Sequence, residues 1–127
     1  MALRILIVDD EADVELLFRQ RMRKAVREGL LQLEFAFSGE EAIQRLNSTE
    51  HTDIALILSD INMPGMSGYE LLEKIKSAHP SMKVVMVTAY GDEQYREKAR
   101  QLGADDFITK PIDFRQIEDI IQSFSKP

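Results

Sequence analysis

The sequence predicts an α/β fold, a doubly wound parallel sheet of five strands with five helices, and three observations carry it. Short apolar runs rich in β-branched residues alternate with longer segments of helical period. Each run is bounded by polar residues, as suits strands buried on both faces. No linker, repeat or low-complexity tract breaks the alternation, so a single domain accounts for residues 1–127.

Taken in order, the first strand is the run ILIV at 5–8, followed by a helix with Val14, Leu17, Phe18, Met22 and Ala25 at helical spacing. A weaker strand at 33–37 leads to Ser38, an N-cap with Glu41 three residues on, the pattern of a capping box. The third strand is ALIL at 55–58, and its helix carries Leu71, Leu72 and Ile75, with the long stem of Lys76 beside them. VVMV at 84–87 is the fourth strand, and the helix from about Asp92 closes at Gly103. The brief pair Phe107 and Ile108 is the fifth, and Asp113 precedes a last helix with Ile117, Ile120, Ile121 and Phe124.

Composition removes several functions. A hydrophobic fraction of 44% and a charged fraction of 30% are those of a globular chain. With no Cys there is no disulfide framework, thiolate metal site or Cys nucleophile. No apolar run reaches the roughly 20 residues of a membrane helix and no signal peptide opens the chain, so no membrane role and a cytoplasmic location are expected. A net charge of −6 argues against direct nucleic-acid binding.

In a parallel α/β sheet ligands bind at the carboxyl ends of the strands. Asp9, Asp10 and Glu11 follow the first strand, Asp60 and Asn62 the third, Thr88 the fourth, and Thr109, Lys110 and Pro111 the fifth. These loops would bring three aspartates, a hydroxyl and a lysine to one edge. Crowded carboxylates are relieved by a hard divalent cation such as Mg²⁺, and a lysine supplies a mobile point charge for a phosphoryl oxygen. The set suits phosphoryl transfer to a carboxylate, with Asp60 in the central loop as the nucleophile.

With these residues in place the chain resembles the receiver domain of two-component response regulators over nearly its whole length. The matching stretches are VDDE at 8–11, DINMPGMSG at 60–68, VTA at 87–89 and KP at 110–111. Each is weak alone; their order and separation on a five-fold strand–helix pattern make them specific. The resemblance implies a flavodoxin-like sheet of order 2-1-3-4-5 with the site at the switch between strands 1 and 3. It implies Asp60 as phospho-acceptor and Mg²⁺ held by Asp10, by Asp9 largely through water, by Asp60 and by the backbone carbonyl of Asn62. Thr88 would bond the phosphoryl group, Lys110 would pair with one of its oxygens, and the Lys110–Pro111 bond would be cis. Phe107 falls at the family's switch aromatic, without the hydroxyl of the tyrosine often found there. Two departures stand out: the segment 11–31 is longer than the family's compact first helix and loop, and Ser59 precedes the acceptor where an apolar residue is usual.

Plainer roles compete at several positions. Asp9 and Asp10 also fit a helix N-cap, the loop from Asn62 to Gly68 a plain turn, and Phe107 core filling at a sheet edge. Met63 and Met66 read as packing under the loop, Tyr90 as a half-exposed aromatic, and His51 and His79 as surface residues. Arg19, Arg21, Arg23, Lys24 and Arg27 read as a solvated helix face or a docking surface for an acidic partner.

Three rival functions fit less well. A flavodoxin-like carrier would meet its FMN phosphate with the acids of 9–13, and a haloacid-dehalogenase-like phosphatase needs a second Asp where Asn62 stands. A receiver-like module acting by binding alone would have lost an acid or the lysine, and none is lost. The expectation is therefore a phospho-acceptor, not a turnover enzyme, serving a histidine kinase or histidine phosphotransfer protein. Because the chain ends at Pro127, just past the last helix, an output domain or downstream protein is expected outside it.

Overall fold

The computed structural model describes residues 2–48 and 53–125. His51 therefore lies outside the described residues, whereas His79 is exposed just past a helix end. Five strands form one parallel sheet of order β2-β1-β3-β4-β5: β1 Leu3–Val8, β2 Leu31–Ala36, β3 Ile54–Asp60, β4 Lys83–Thr88 and β5 Asp106–Thr109. The neighbours pair in parallel throughout, as the alternation of elements requires.

Alternation of side chains along the strands divides the core into two layers. Ile5 and Ile7, Leu56 and Leu58, Val85 and Val87 face one side, and Leu6 and Val8, Ile57, Val84 and Met86 face the other. On the first side lie α1 (Ala12–Arg21), through Val14 and Phe18, and α6 (Phe114–Ser125), through Ile117 and Ile120. The second side takes α3 (Gly39–Asn47), α4 (Gly68–Ala78) and α5 (Glu93–Gln101), through Ala42, Leu46, Leu71, Leu72, Ile75 and Ala99. The caps follow the expected chemistry: Ser38 Oγ accepts from Glu41 N at 3.1 Å and Asp113 Oδ1 from Arg115 N at 2.9 Å.

The described residues carry six helices rather than the five expected. The first helix stops at Arg21, and a separate short helix, α2 (Arg23–Arg27), follows. Met22 sits between them with φ −102° and ψ 10°, its N–H still bonded to Phe18 O and its side chain buried beside Phe18. The sequence hid this break because Met22 and Ala25 keep the apolar spacing through it. Gly29, at φ 77°, then ends α2: Leu30 N bonds Ala25 O and Gly29 N bonds Val26 O, a left-handed closing turn that glycine adopts without steric cost. This is the extra length noted in segment 11–31.

A polar clasp fixes the amino end of β4. Asp105 Oδ2 accepts from Val84 N and from Lys76 Nζ, both at 2.9 Å, while Lys76 also donates to Met82 O at 2.7 Å. The long Lys76 stem thus runs along the core and delivers its charge to the sheet end. Asp105→Ala removes the acceptor of a main-chain N–H on a fully buried strand residue, and is expected to cost about 1–3 kcal/mol in urea unfolding. Asp105→Asn keeps that acceptor, loses mainly the ion pair and should cost about 1 kcal/mol or less. Equal losses in the two variants would show that the backbone bond is not what the clasp supplies.

Candidate acceptor site at the carboxyl edge of the sheet

The order β2-β1-β3 places the ends of β1 and β3 side by side, and these ends carry the acids. Asp9 and Asp60 are buried, 5% and 6% exposed, whereas Asp10 points to solvent. One carboxylate oxygen from each of Asp9, Asp10 and Asp60 lies within 4.8 Å of the others. Such a group of hard oxygen donors, one side open to water, fits a Mg²⁺ ion that keeps part of its hydration.

Lys110, carried in from the end of β5, is the counter-charge. Its Nζ donates to Asp9 Oδ2 at 3.0 Å and stands 3.6 Å from Asp60 Oδ2. The lysine is aimed from behind: its N–H bonds Thr88 O at 2.7 Å, and the following Lys110–Pro111 bond is cis, as the resemblance implied. Burial alone would lower the Lys110 pKa, but the hydrogen bond to Asp9 and the charges of Asp60, Asp9 and Glu11 hold it above its ordinary value. It remains an ammonium.

Asp60 behaves differently. Burial, then the charge of Asp9, pushes its carboxyl up to about 6, against the pull of Lys110 and of the Ile61 and Asn62 N–H groups. Asn62 therefore meets Asp60 through its backbone N–H, while its side chain is exposed. The N-cap role weighed for Asp9 and Asp10 falls instead to Glu11, which makes no side-chain cap bond; Asp9 Oδ1 accepts from Glu11 N at 2.9 Å and shapes the turn before α1. Thr88 is fully buried, and its Oγ1 accepts from Tyr90 N at 3.2 Å.

The acceptor loop is held by a contact the sequence did not announce. Gly68, read from sequence only as a turn residue, donates its N–H to Ile61 O at 2.7 Å, and a Cβ there would fall 2.1 Å from Asp60 O. No side chain fits between the α4 start and the backbone of the acceptor. Ser59, the polar departure before Asp60, is 1% exposed and donates its hydroxyl to Asp60 O at 3.0 Å, so its burial leaves no polar group unmet. Met63 is buried and Met66 half-buried beneath the loop, as packing residues.

Phe107 is 7% exposed within the α3–α4–α5 layer, and the Arg96 guanidinium lies 4.9 Å from its ring centroid. Arg96 drew no notice in the sequence, where it is one more basic residue on α5. Tyr90 is 53% exposed and stacks on Tyr95 at 5.5 Å.

Known proteins resemble this chain over most of its length. The model of the response regulator receiver domain family matches residues 5–122. Sporulation initiation phosphotransferase F of Bacillus subtilis is 30% identical over 127 residues, covering 95% of this chain and 92% of that protein. A cyclic di-GMP phosphodiesterase of Thermotoga maritima is 39% identical over 108 residues, 85% of this chain but only 27% of the relative, so the activity in its name belongs to a much longer protein. With a Pseudomonas aeruginosa response regulator, FleR, the chain again spans about a quarter of the relative, 24%. Among solved structures, the response regulator TrrA of Thermotoga maritima in complex with Mg²⁺ and BeF is 29% identical with a TM-score of 0.78, covering 96% of this chain and 98% of that one.

The Asp60 environment sets a pH dependence. Its folded pKa of about 6 exceeds the ordinary 3.8, so the native state holds the proton more tightly and loses stability through this group as pH rises across that window. Without metal, Asp60→Asn should therefore raise the thermal midpoint at pH 7.5, with the gain shrinking toward zero below about pH 4. A gain of the same size at pH 4 and pH 7.5 in chelator-containing melts would contradict this origin.

Proposed function

The chain belongs to the response regulator receiver domain family, and on that premise we propose that residues 1–127 form one phospho-acceptor domain in which Asp60 takes the phosphoryl group. The observation that carries the reading is the meeting of Asp9, Asp10, Asp60 and Lys110 at one strand edge, acids and lysine within reach of one another. The donor is the phosphohistidine of a histidine kinase or of a histidine phosphotransfer protein. An oxygen of the Asp60 carboxylate forms the new P–O bond, the P–N bond of the donor breaks, and its imidazole leaves with the electron pair. The domain promotes this transfer and the later hydrolysis of its own acyl phosphate, and is not a turnover enzyme.

Asp9, Asp10 and Asp60, with the backbone carbonyl of Asn62, are the groups that would hold Mg²⁺, which supplies positive charge against the phosphoryl oxygens when bound. Lys110 pairs with one phosphoryl oxygen, and exchanges its present contact with Asp60 for it. The Thr88 hydroxyl, whose Oγ1 accepts from Tyr90 N in this structure, donates its proton to another. A move of Thr88 toward the phosphate opens volume on the α4–α5 side, where Phe107 is the adjoining aromatic. With its ring already buried and no hydroxyl to draw it outward, Phe107 makes a switch biased toward its inward state before phosphorylation. Output passes to a domain or protein outside residues 1–127; relatives that are named as DNA-binding regulators carry that name for far longer chains. No helix among the described residues is long and apolar enough to cross a membrane.

Incubation with a small phosphodonor such as acetyl phosphate and Mg²⁺ should add one acid-stable, base-labile phosphoryl group by intact mass. Asp60→Asn should abolish it, and uptake by that variant at the wild-type rate would move the acceptor elsewhere. For the metal, Asp10→Asn should weaken Mg²⁺ binding about tenfold or more by calorimetry. In chelator the same variant should melt higher than the parent, because it relieves carboxylate crowding present only in the folded state. An unchanged affinity or a lower melt would remove Asp10 from the proposed set.

A further inference from the structure

The pole opposite the acceptor site carries a surface that phosphoryl transfer does not use. Five of the sixteen Lys and Arg fall within residues 19–27, where there is no Asp or Glu, whereas the other eleven share the chain with all twenty-two acids. Arg19 is engaged by Glu15 and lies over the Phe35 ring, and Arg21 lies over Phe114. Arg23, Lys24 and Arg27 on α2 are exposed, and no ion pair involves them among the described residues. A strongly basic turn is thus held out from an otherwise acidic molecule.

Beside it lies an apolar trough of about 720 Å³. Its apolar walls are Leu3 of β1, Ala25 of α2, Leu30 and Leu31 at the entry to β2, and Ile121 and Phe124 of α6. Glu118 and Gln122 of α6 join the lining, so the positive charge that selects an acidic partner comes from α2 and not from the trough itself. Leu30 is 58% exposed and Val26, next to Ala25, 41%. Leu3 N bonds Leu30 O at 3.0 Å, which places the trough at the amino end of β1. The acceptor edge is at the other end of that six-residue strand, roughly 20 Å away. Beyond the trough, the Lys83 ammonium stands 5.8 Å from the Phe124 ring, a further positive charge on the same side of the molecule.

We propose that this trough and the α2 basic turn form a docking site for an acidic amphipathic helix of a partner protein. The apolar floor takes the partner's aliphatic side chains, and Arg23, Lys24 and Arg27 meet its carboxylates at the rim. The shape selects this occupant over other anions. A nucleic-acid duplex offers phosphates but no aliphatic groups to fill the floor, and a membrane surface is entered by protruding apolar side chains rather than received in a recess. The site is independent of the acceptor reading, because none of its residues touches Asp9, Asp60 or Lys110. Binding there leaves the acceptor edge open, so both partners can be held at once.

The test uses the full chain with two labelled synthetic helical peptides, one of Leu and Glu and a twin of Leu and Lys. The Leu/Glu peptide should bind saturably by anisotropy, with NMR shift changes gathered at Ala25, Leu30 and Ile121. The triple variant Arg23→Glu, Lys24→Glu, Arg27→Glu should bind it about tenfold or more weakly. Leu30→Asp should weaken it as well, and both variants should take up phosphate on incubation with acetyl phosphate as the parent does. These positions are exposed, so folding is retained and is checked by far-UV circular dichroism. Absence of binding, equal affinity for the Leu/Lys twin, equal affinity in the triple variant, or shifts gathered at the acceptor edge would each overturn the proposal. Tighter capture of a DNA duplex or of phosphatidylglycerol vesicles than of the peptide would overturn the assigned class of partner. Loss of phosphoryl uptake by the parent protein would count against the acceptor reading alone and leave the docking result standing.

Discussion

The Lys110 ammonium, 3.0 Å from Asp9 and 3.6 Å from Asp60, is the interaction that lets two buried carboxylates share one edge of the sheet. Two like charges at such separation repel strongly where water is scarce. Without a cation from the protein itself, the edge would be tolerable only with protons or metal bound. One lysine for three acids is a partial answer, and the remainder shows in Asp60, whose carboxyl is pushed up to about 6 while Lys110 is held charged. The site is thus left short of positive charge by design of its composition, and a divalent ion or an added phosphate changes its balance more than it would at a neutral surface.

That arrangement rests on the fold at two levels. Sheet order puts β1 beside β3, so residues 51 positions apart in sequence, Asp9 and Asp60, emerge next to each other. The last ångströms come from backbone contacts around the acceptor: Ile61 N on Val87 O, Gly68 N on Ile61 O, Ser59 Oγ on Asp60 O and Lys110 N on Thr88 O. At the opposite end the Asp105–Lys76 clasp anchors β4. A carboxylate on a strand terminus with its main chain bonded on several sides is positioned by the rigid part of the molecule.

Much of this was legible in the residues. Short runs such as ILIV and VVMV read as strands because their burial on both faces suppresses the alternation of a one-sided sheet. The acids, Thr88 and Lys110 were visible because each follows such a run. Features set by tertiary contact were not. The break at Met22 keeps the apolar rhythm of one continuous helix, so only the backbone reveals it. Gly68 looks like any turn glycine until it is seen that a side chain there would run into the backbone carbonyl of Asp60. Arg96 became notable only when its guanidinium was found over Phe107, a partner on another element.

The strand order has one more consequence, for self-association. It leaves β2 and β5 as the sheet's two edges, and both are blunted. β5 is only four residues long. β2 bears Gln32 and Glu34, tied by Arg4 from the neighbouring strand, with Arg45 of α3 also paired to Glu34. An incoming strand would meet a short ladder on one side and a charged, desolvation-resistant row on the other. Cross-strand growth, the route to fibrils in flat apolar sheets, is therefore disfavoured, and assembly is channelled to the helical faces, where geometry limits it to discrete complexes.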